Sequence, residues 1–271
     1  MSMKISEIIS FSFREELARI RQQEALRASR HLILYPTPHG NLVSRHLSTQ
    51  SQFCRACVSM GYLSPQQMQH AALRYQLGMS RDGGVIFWQI NQLGQVYDGK
   101  IMYYRPDCHR DHEHVPTWVI SVIKSFYQCP VDIPTPHCLF GSHLLKPLPD
   151  SPRLGEEHQT VCVVESEKTA VILSEVFPQY LWLAAGGLNE LTVNKLFPLR
   201  HRQVIIFPDT DETQATYSLW FRIAQDAMRC NGGKITVSPL LEQKATAEQK
   251  SRKIDLVDFL FESHRVTGHK V

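Results

Sequence analysis

The spacing of apolar positions changes character near residue 160. Beyond it, short apolar runs (TVCVVE, YLWLAA, QVIIFPD, KITVSPL) alternate with helix-length segments (SEKTAVILSEVF, LNELTVNKLF, ETQATYSLWFRIAQDAMRC), and IDLVDFLFESH follows the last run. That alternation predicts a parallel sheet flanked by helices over residues 160–271. Residues 51–148 read differently. FCRACVSMGYL and SPQQMQHAALRYQLG have helical spacing, and GGVIFWQIN and QVYDGKIMYY flank a Gly-containing turn as a hairpin, which predicts a mixed α+β domain. Residues 1–50 hold a polar helical stretch with Phe13, Leu17 and Ile20 on one stripe, an appendage followed by the loop YPTPHGN. The Pro- and Gly-rich segment 149–159 joins the two larger units. The fold class is therefore α/β, a C-terminal parallel sheet preceded by a mixed domain and a helical appendage.

Composition narrows the setting. The chain has 271 residues, 43% of them hydrophobic and 20% charged, which excludes wholesale disorder and a coiled coil. No apolar run approaches the length of a membrane span, and charged residues interrupt the N-terminal stretch before a signal-peptide core develops. Seven scattered cysteines are not a disulfide framework, so the expected compartment is the cytoplasm. A net charge of +3 permits nucleic-acid binding without arguing for it.

The chemistry concentrates at strand ends. In an open parallel sheet, loops beyond the carboxyl ends of the strands converge on a crevice. Glu165 closes the first strand of the C-terminal unit, Asp209 and Asp211 follow the third, and Asp255 and Asp258 follow the fourth. Close carboxylates raise one another's pKa unless a cation neutralises them, and an all-oxygen set suits Mg²⁺ or Mn²⁺. The competing reading makes Asp211 a helix cap and Asp209 a solvated turn residue.

VVESEKTAVIL followed by VIIFPDTDETQATYSLW resembles a Toprim domain, the catalytic module of bacterial primases, type IA and II topoisomerases and some nucleases. Together with IFWQI, GKIMYY, CLFGSHLL, WLAAGGL and DLVDFL, the set resembles primase-like Toprim proteins of bacterial mobile elements over about residues 53–262. The resemblance implies Glu165 as general acid/base with Lys168 as a phosphate contact, and Asp209, Asp211 and Asp255 as Mg²⁺ or Mn²⁺ ligands. It implies a primase-type nucleotidyltransferase acting in DNA replication or mobilisation, with replication or mobilisation proteins as partners. A nuclease or a non-catalytic binding subunit would use the same crevice. Ser166 and Thr169 stand where primases carry Gly and Asp, so weak or absent primer synthesis is expected.

Single-stranded DNA is the expected ligand, held by Lys100, Arg105, Lys250, Arg252 and Lys253. Lys168 has two bland alternatives, an exposed helix lysine or an ion pair to Glu165. Cys54 and Cys57 are expected to be buried on a helix face without metal, Cys108–His114 to form a solvated loop or else to track a nucleic-acid backbone with Lys100 and Arg105, and Gly186-Gly187 to make a tight turn. Strand alternation should bury one of Tyr103 and Tyr104.

Overall fold

The computed structural model describes residues 40–126, 137–145 and 159–267. The helix expected within residues 12–30 and most of the joining segment 149–159 lie outside them. The first unit begins with α1 (Gly40–His46), α2 (Gln52–Ser59) and α3 (Pro65–Arg74). Ser51 caps α2 through the Cys54 amide. Ser64 and Gln67 form a reciprocal capping box on α3, whose Pro65 occupies a position where no amide donor is needed.

An antiparallel sheet of β1 (Gly78–Met79), β2 (Val85–Ile90), β3 (Val96–Met102) and β4 (Thr117–Trp118) follows in that order. Helix α4 (Val119–Phe126) continues directly from β4. The hairpin β2–β3 is the one read from the sequence, with Trp88 opposite Gly99. Every residue of β2 is buried because both faces are covered. Val85 and Phe87 join a core with α2 and α3, while Ile86, Trp88 and Ile90 pack with Val43 of α1 and Val119 of α4.

The second unit is a four-stranded parallel sheet of β5 (Val161–Val164), β6 (Leu181–Ala184), β7 (Gln203–Phe207) and β8 (Lys234–Val237), in the order β6-β5-β7-β8. Helix α5 (Glu167–Val176) follows β5, and α7 (Ala215–Asn231) follows β7. After β8 come α8 (Leu240–Lys244), α9 (Ala247–Ser251) and α10 (Leu256–Thr267). The helix expected over LNELTVNKLF is broken into 3₁₀ turns around a four-residue α6 (Val193–Leu196). Thr192 caps it at one end, and Pro198 lies in the turn that follows. The short helices α8 and α9 were not foreseen.

One core underlies both sheets. Phe53 and Cys57 of α2, Phe87 of β2, and Cys162, Ala170 and Trp182 of the parallel unit belong to a single buried cluster. The Tyr75 hydroxyl donates to the Trp182 carbonyl at 2.8 Å, and its ring stacks on Phe140, which bridges to Ala184 at the edge of β6. Cys54 and Cys57 are both buried on α2. Tyr104 is the buried member of its pair, while Tyr103 donates to Asp82 and stacks on His114. Cys108 is buried beneath its loop, and the histidines of that loop face outward. Among the described residues no helix is long and apolar enough to cross a membrane.

Gly99 shows how tightly β2 and β3 pack. A Cβ there would lie 2.7 Å from both the Ile86 Cγ2 and the Trp88 Cε3. Trp88 is fully buried and has nowhere to move. Gly99→Ala should lower unfolding free energy by about 1–3 kcal/mol in urea denaturation. An unchanged midpoint would show that the sheet is looser than this geometry requires.

Candidate active site

The strand order of the parallel sheet reverses at β5, with β6 on one side and β7 on the other. That is the switch point where a doubly wound sheet opens a crevice beyond its carboxyl ends. Glu165 is the residue after β5, and Asp209 lies two residues after β7, on the neighbouring strand. A cleft of about 210 Å³ opens here, lined by Glu165, the head of α5 and the Gly186-Gly187 turn. Its opposite wall comes from the antiparallel unit: Lys100 and Met102 of β3, then Tyr104, His109 and Arg110.

The two strand-end carboxylates are electrostatically uncomfortable. Burial pushes Glu165 up to about 7 despite the Leu188 amide and the Lys100 charge, and Asp255 and Glu167 add repulsion. Burial also holds Asp209 well above the usual carboxylate range, reinforced by Glu165 and Asp255. Asp211 does something else. It accepts from the Thr213 hydroxyl at 2.6 Å and from the Thr213, Ala215 and Thr216 amides at 2.8, 3.1 and 2.8 Å. Desolvation opposes its charge, but these donors outweigh it and hold the carboxyl well below its ordinary value. Asp211 is thus the cap of α7, and among the described residues no hydrogen bond is made to the Asp209 carboxylate.

Two lysines enter from different directions. Lys100 crosses from β3 to the head of α5, where its Nζ lies 3.2 and 3.3 Å from the two Glu167 oxygens and 2.6 Å from the Gly186 carbonyl. Gly186 has φ +96°, and a Cβ there would meet the Glu167 Oε1 at 3.2 Å, so glycine suits both the turn and the close carboxylate. Lys168, expected as a phosphate contact, an exposed lysine or a partner of Glu165, lines the cleft but is neither exposed nor paired with Glu165. It is 7% exposed and reaches Asp255 at 3.1 Å and Asp258 at 3.7 Å. Burial works against its charge, yet those two carboxylates more than offset the penalty.

Asp255 is fully engaged. Its Oδ2 accepts from the Thr169 hydroxyl at 2.6 Å as well as from Lys168, and its Oδ1 accepts from the Asp258 amide at 2.8 Å. Of the other basic residues read as nucleic-acid contacts, Lys250 donates to the Glu242 carbonyl, Arg252 pairs with Glu262, and exposed Arg105 pairs with Asp107. Lys253 is exposed. Among the described residues no three His, Cys, Asp or Glu side chains converge as a preformed metal cage.

Sequence reading missed Glu167 as part of the site and the pairings that Thr169 and Asp258 make in it, and it set His109 and Arg110 in a loop with nucleic-acid contact as the other reading. A signal existed for the first: Glu167-Lys168 heads a helix that continues TAVIL with no polar face, so its charges must be paired.

A family model described as a domain of unknown function, DUF6371, matches residues 51–210, more than half of the chain and parts of both sheets. The chain belongs to this family. No curated protein matches it. Solved structures similar to this DUF6371 protein include the E. coli primase catalytic core, at 14% identity and a TM-score of 0.46, covering 84% of this chain and 82% of that one. A DnaG primase catalytic domain bound to ssDNA matches at 13% identity and 0.45, with 84% of each chain covered. The primase fragment of the bacteriophage T7 primase-helicase matches at 16% identity and 0.41, over 70% of this chain, which spans 64% of that fragment.

Two stability measurements separate the carboxylates. The folded value of Glu165, about 7, lies above its ordinary 4.5, so the folded state holds the proton more tightly. Its contribution is complete below pH 4.5 and is lost as pH rises through 7. In chelator, Glu165→Gln should therefore stabilise the protein by roughly 1–3 kcal/mol at pH 8 and by nothing at pH 4. Equal effects at both pH values would contradict the assignment. Asp211→Ala should instead cost about 1–2 kcal/mol at pH 7, with the cost shrinking as pH falls below 3.8. A neutral substitution at Asp211 would remove the cap from the account.

Proposed function

We infer that this protein is a primase-like nucleic-acid protein that uses Mg²⁺ or Mn²⁺ in the cleft between its two sheets. The observation that carries the reading is the pair Glu165 and Asp209, two carboxylates at the ends of adjacent parallel strands that burial pushes above the usual carboxylate range, with Glu165 adding to the shift of Asp209. The chemistry of that donor set fits a hard divalent cation. Mg²⁺ is commonly held by only one or two protein carboxylates, with water and substrate phosphates completing its shell. Glu165 and Asp209 would hold it, and it would supply charge neutralisation at a phosphate.

Lys100 and Arg110 on the opposite wall supply positive charge to the cleft, with the His109 ring beside them. They are placed to meet a phosphodiester backbone while the strand-end carboxylates face its reacting oxygen, an arrangement in which positioning and charge do most of the work. Arg105 and Lys253 lie exposed and would extend contact along a single strand. The sequence resemblance supports a place in DNA replication or in mobilisation of a mobile element, with single-stranded DNA as the ligand to test. A second reading, a binding protein without catalysis, draws on Asp211 and Asp255: both are taken up by hydrogen bonds, and that leaves fewer ligands for a cation.

Paired assays test the reading. Fluorescence anisotropy of a labelled oligonucleotide should give a slope of log affinity against log salt near ~2–4, at ~0.7 per single-strand phosphate neutralised. Incubation with a single-stranded template, nucleotides and Mg²⁺ or Mn²⁺ should give weak primer synthesis that Asp209→Asn abolishes. Binding without synthesis selects the second reading. Absent or salt-insensitive binding refutes both.

A further inference from the structure

Lys168 is the most deeply placed cation near the cleft, and the function proposed above makes no use of it. Its surroundings are those of an ion site filled by the protein itself. Asp255 and Asp258 face it, and Asp255 is almost wholly buried. Both oxygens of Asp255 are engaged: one accepts from Thr169 and Lys168, the other from the Asp258 amide. The second Asp258 oxygen lies 3.4 Å from the Asp255 amide, so the two residues cap one another at the head of α10. The Lys168 ammonium stands against both carboxylates, where a metal ion would otherwise sit.

A divalent ion beside these groups would have to expel an ammonium bound in a desolvated pocket and then stand next to it. At ε ≈ 20, like charges within about 5 Å repel by roughly 3 kcal/mol per unit product. Glu165 and Asp209 are different, because among the described residues no lysine bonds to either and Lys100 is held by Glu167 and the Gly186 carbonyl.

We propose that Lys168 is a built-in counter-ion that removes Asp255 and Asp258 from the metal-binding set, so the cleft accepts one divalent ion, at Glu165 and Asp209. This rests on the functional reading above for the location of that ion. The role of Lys168 itself does not depend on it. Lys168 is a positioning residue: it fixes Asp255, and through Asp255 the approach of α10 to α5.

Mn²⁺ titration, followed by the electron paramagnetic resonance signal of the free ion, gives the stoichiometry. One site per chain is expected, lost in Glu165→Gln and retained in Asp258→Asn. Two sites, or loss of the site in Asp258→Asn, overturns the proposal. A second measurement reads Lys168 alone. Lys168→Ala leaves room for an ion between two unpaired carboxylates and should lower the melting temperature by ~5–10 °C. Mn²⁺ should reverse that loss where Na⁺ at equal ionic strength does not. The charge-balanced Lys168→Met/Asp255→Asn variant should be insensitive to Mn²⁺. A Lys168→Ala protein that melts like wild type, or that Mn²⁺ fails to restore, overturns the proposal. Wild-type protein that binds no Mn²⁺ while Lys168→Ala is still rescued would sink the functional reading and leave the counter-ion role standing.

Discussion

Helix α5 is enclosed on all sides, between the parallel sheet and the helices that cover the antiparallel one, yet it begins with two charged residues. Burying Glu167 and Lys168 without partners would cost several kcal/mol for each charge. The structure meets that constraint by drawing Lys100 from β3 to Glu167, and Asp255 and Asp258 from the head of α10 to Lys168. Each pair links a distant segment of chain to the same helix end. The antiparallel hairpin, the parallel sheet and the C-terminal helix therefore meet at one point, and the cleft is the space left there.

That geometry separates four acidic residues that look equivalent along the chain. Asp211 lies over the amides that open α7, and Asp255 over Lys168 and Thr169. Glu165 and Asp209 are left at the ends of β5 and β7 with no lysine bonded to either among the described residues, and the Leu188 amide on Glu165 does not offset its burial. Their discomfort is functional in form: a site that penalises its own ionisation is one that an added cation stabilises. The Lys100, His109 and Arg110 wall stands opposite and comes from the antiparallel unit, so the two walls of the cleft belong to different units.

Much of this fold was legible because its strands are uniform. Val161–Val164 and the Gln203–Phe207 run could hardly be other than interior parallel strands, and the turn between β2 and β3 marked the hairpin. LNELTVNKLF misled because its apolar spacing is helical while Thr192 and Pro198 divide it. The shared core was not legible: nothing local in Phe53 or Cys57 says that they pack with Val164 and Ala170 of the other unit. Among site residues, strand-end position located Glu165 and Asp209. It could not distinguish Asp211, whose fate depends on amides two to five residues on, or Lys168, whose partners lie nearly ninety positions away and meet it only in the folded chain.

The account turns on Glu165 and Asp209 being the open half of an otherwise neutralised carboxylate cluster. Crystals soaked in Mn²⁺ and measured at the manganese absorption edge would test this most directly. A single anomalous peak within ligand distance of the Glu165 and Asp209 carboxylates, with Lys168 still on Asp255, is the predicted map. A peak between Asp255 and Asp258, or on Asp211, or no peak in the cleft, would contradict it.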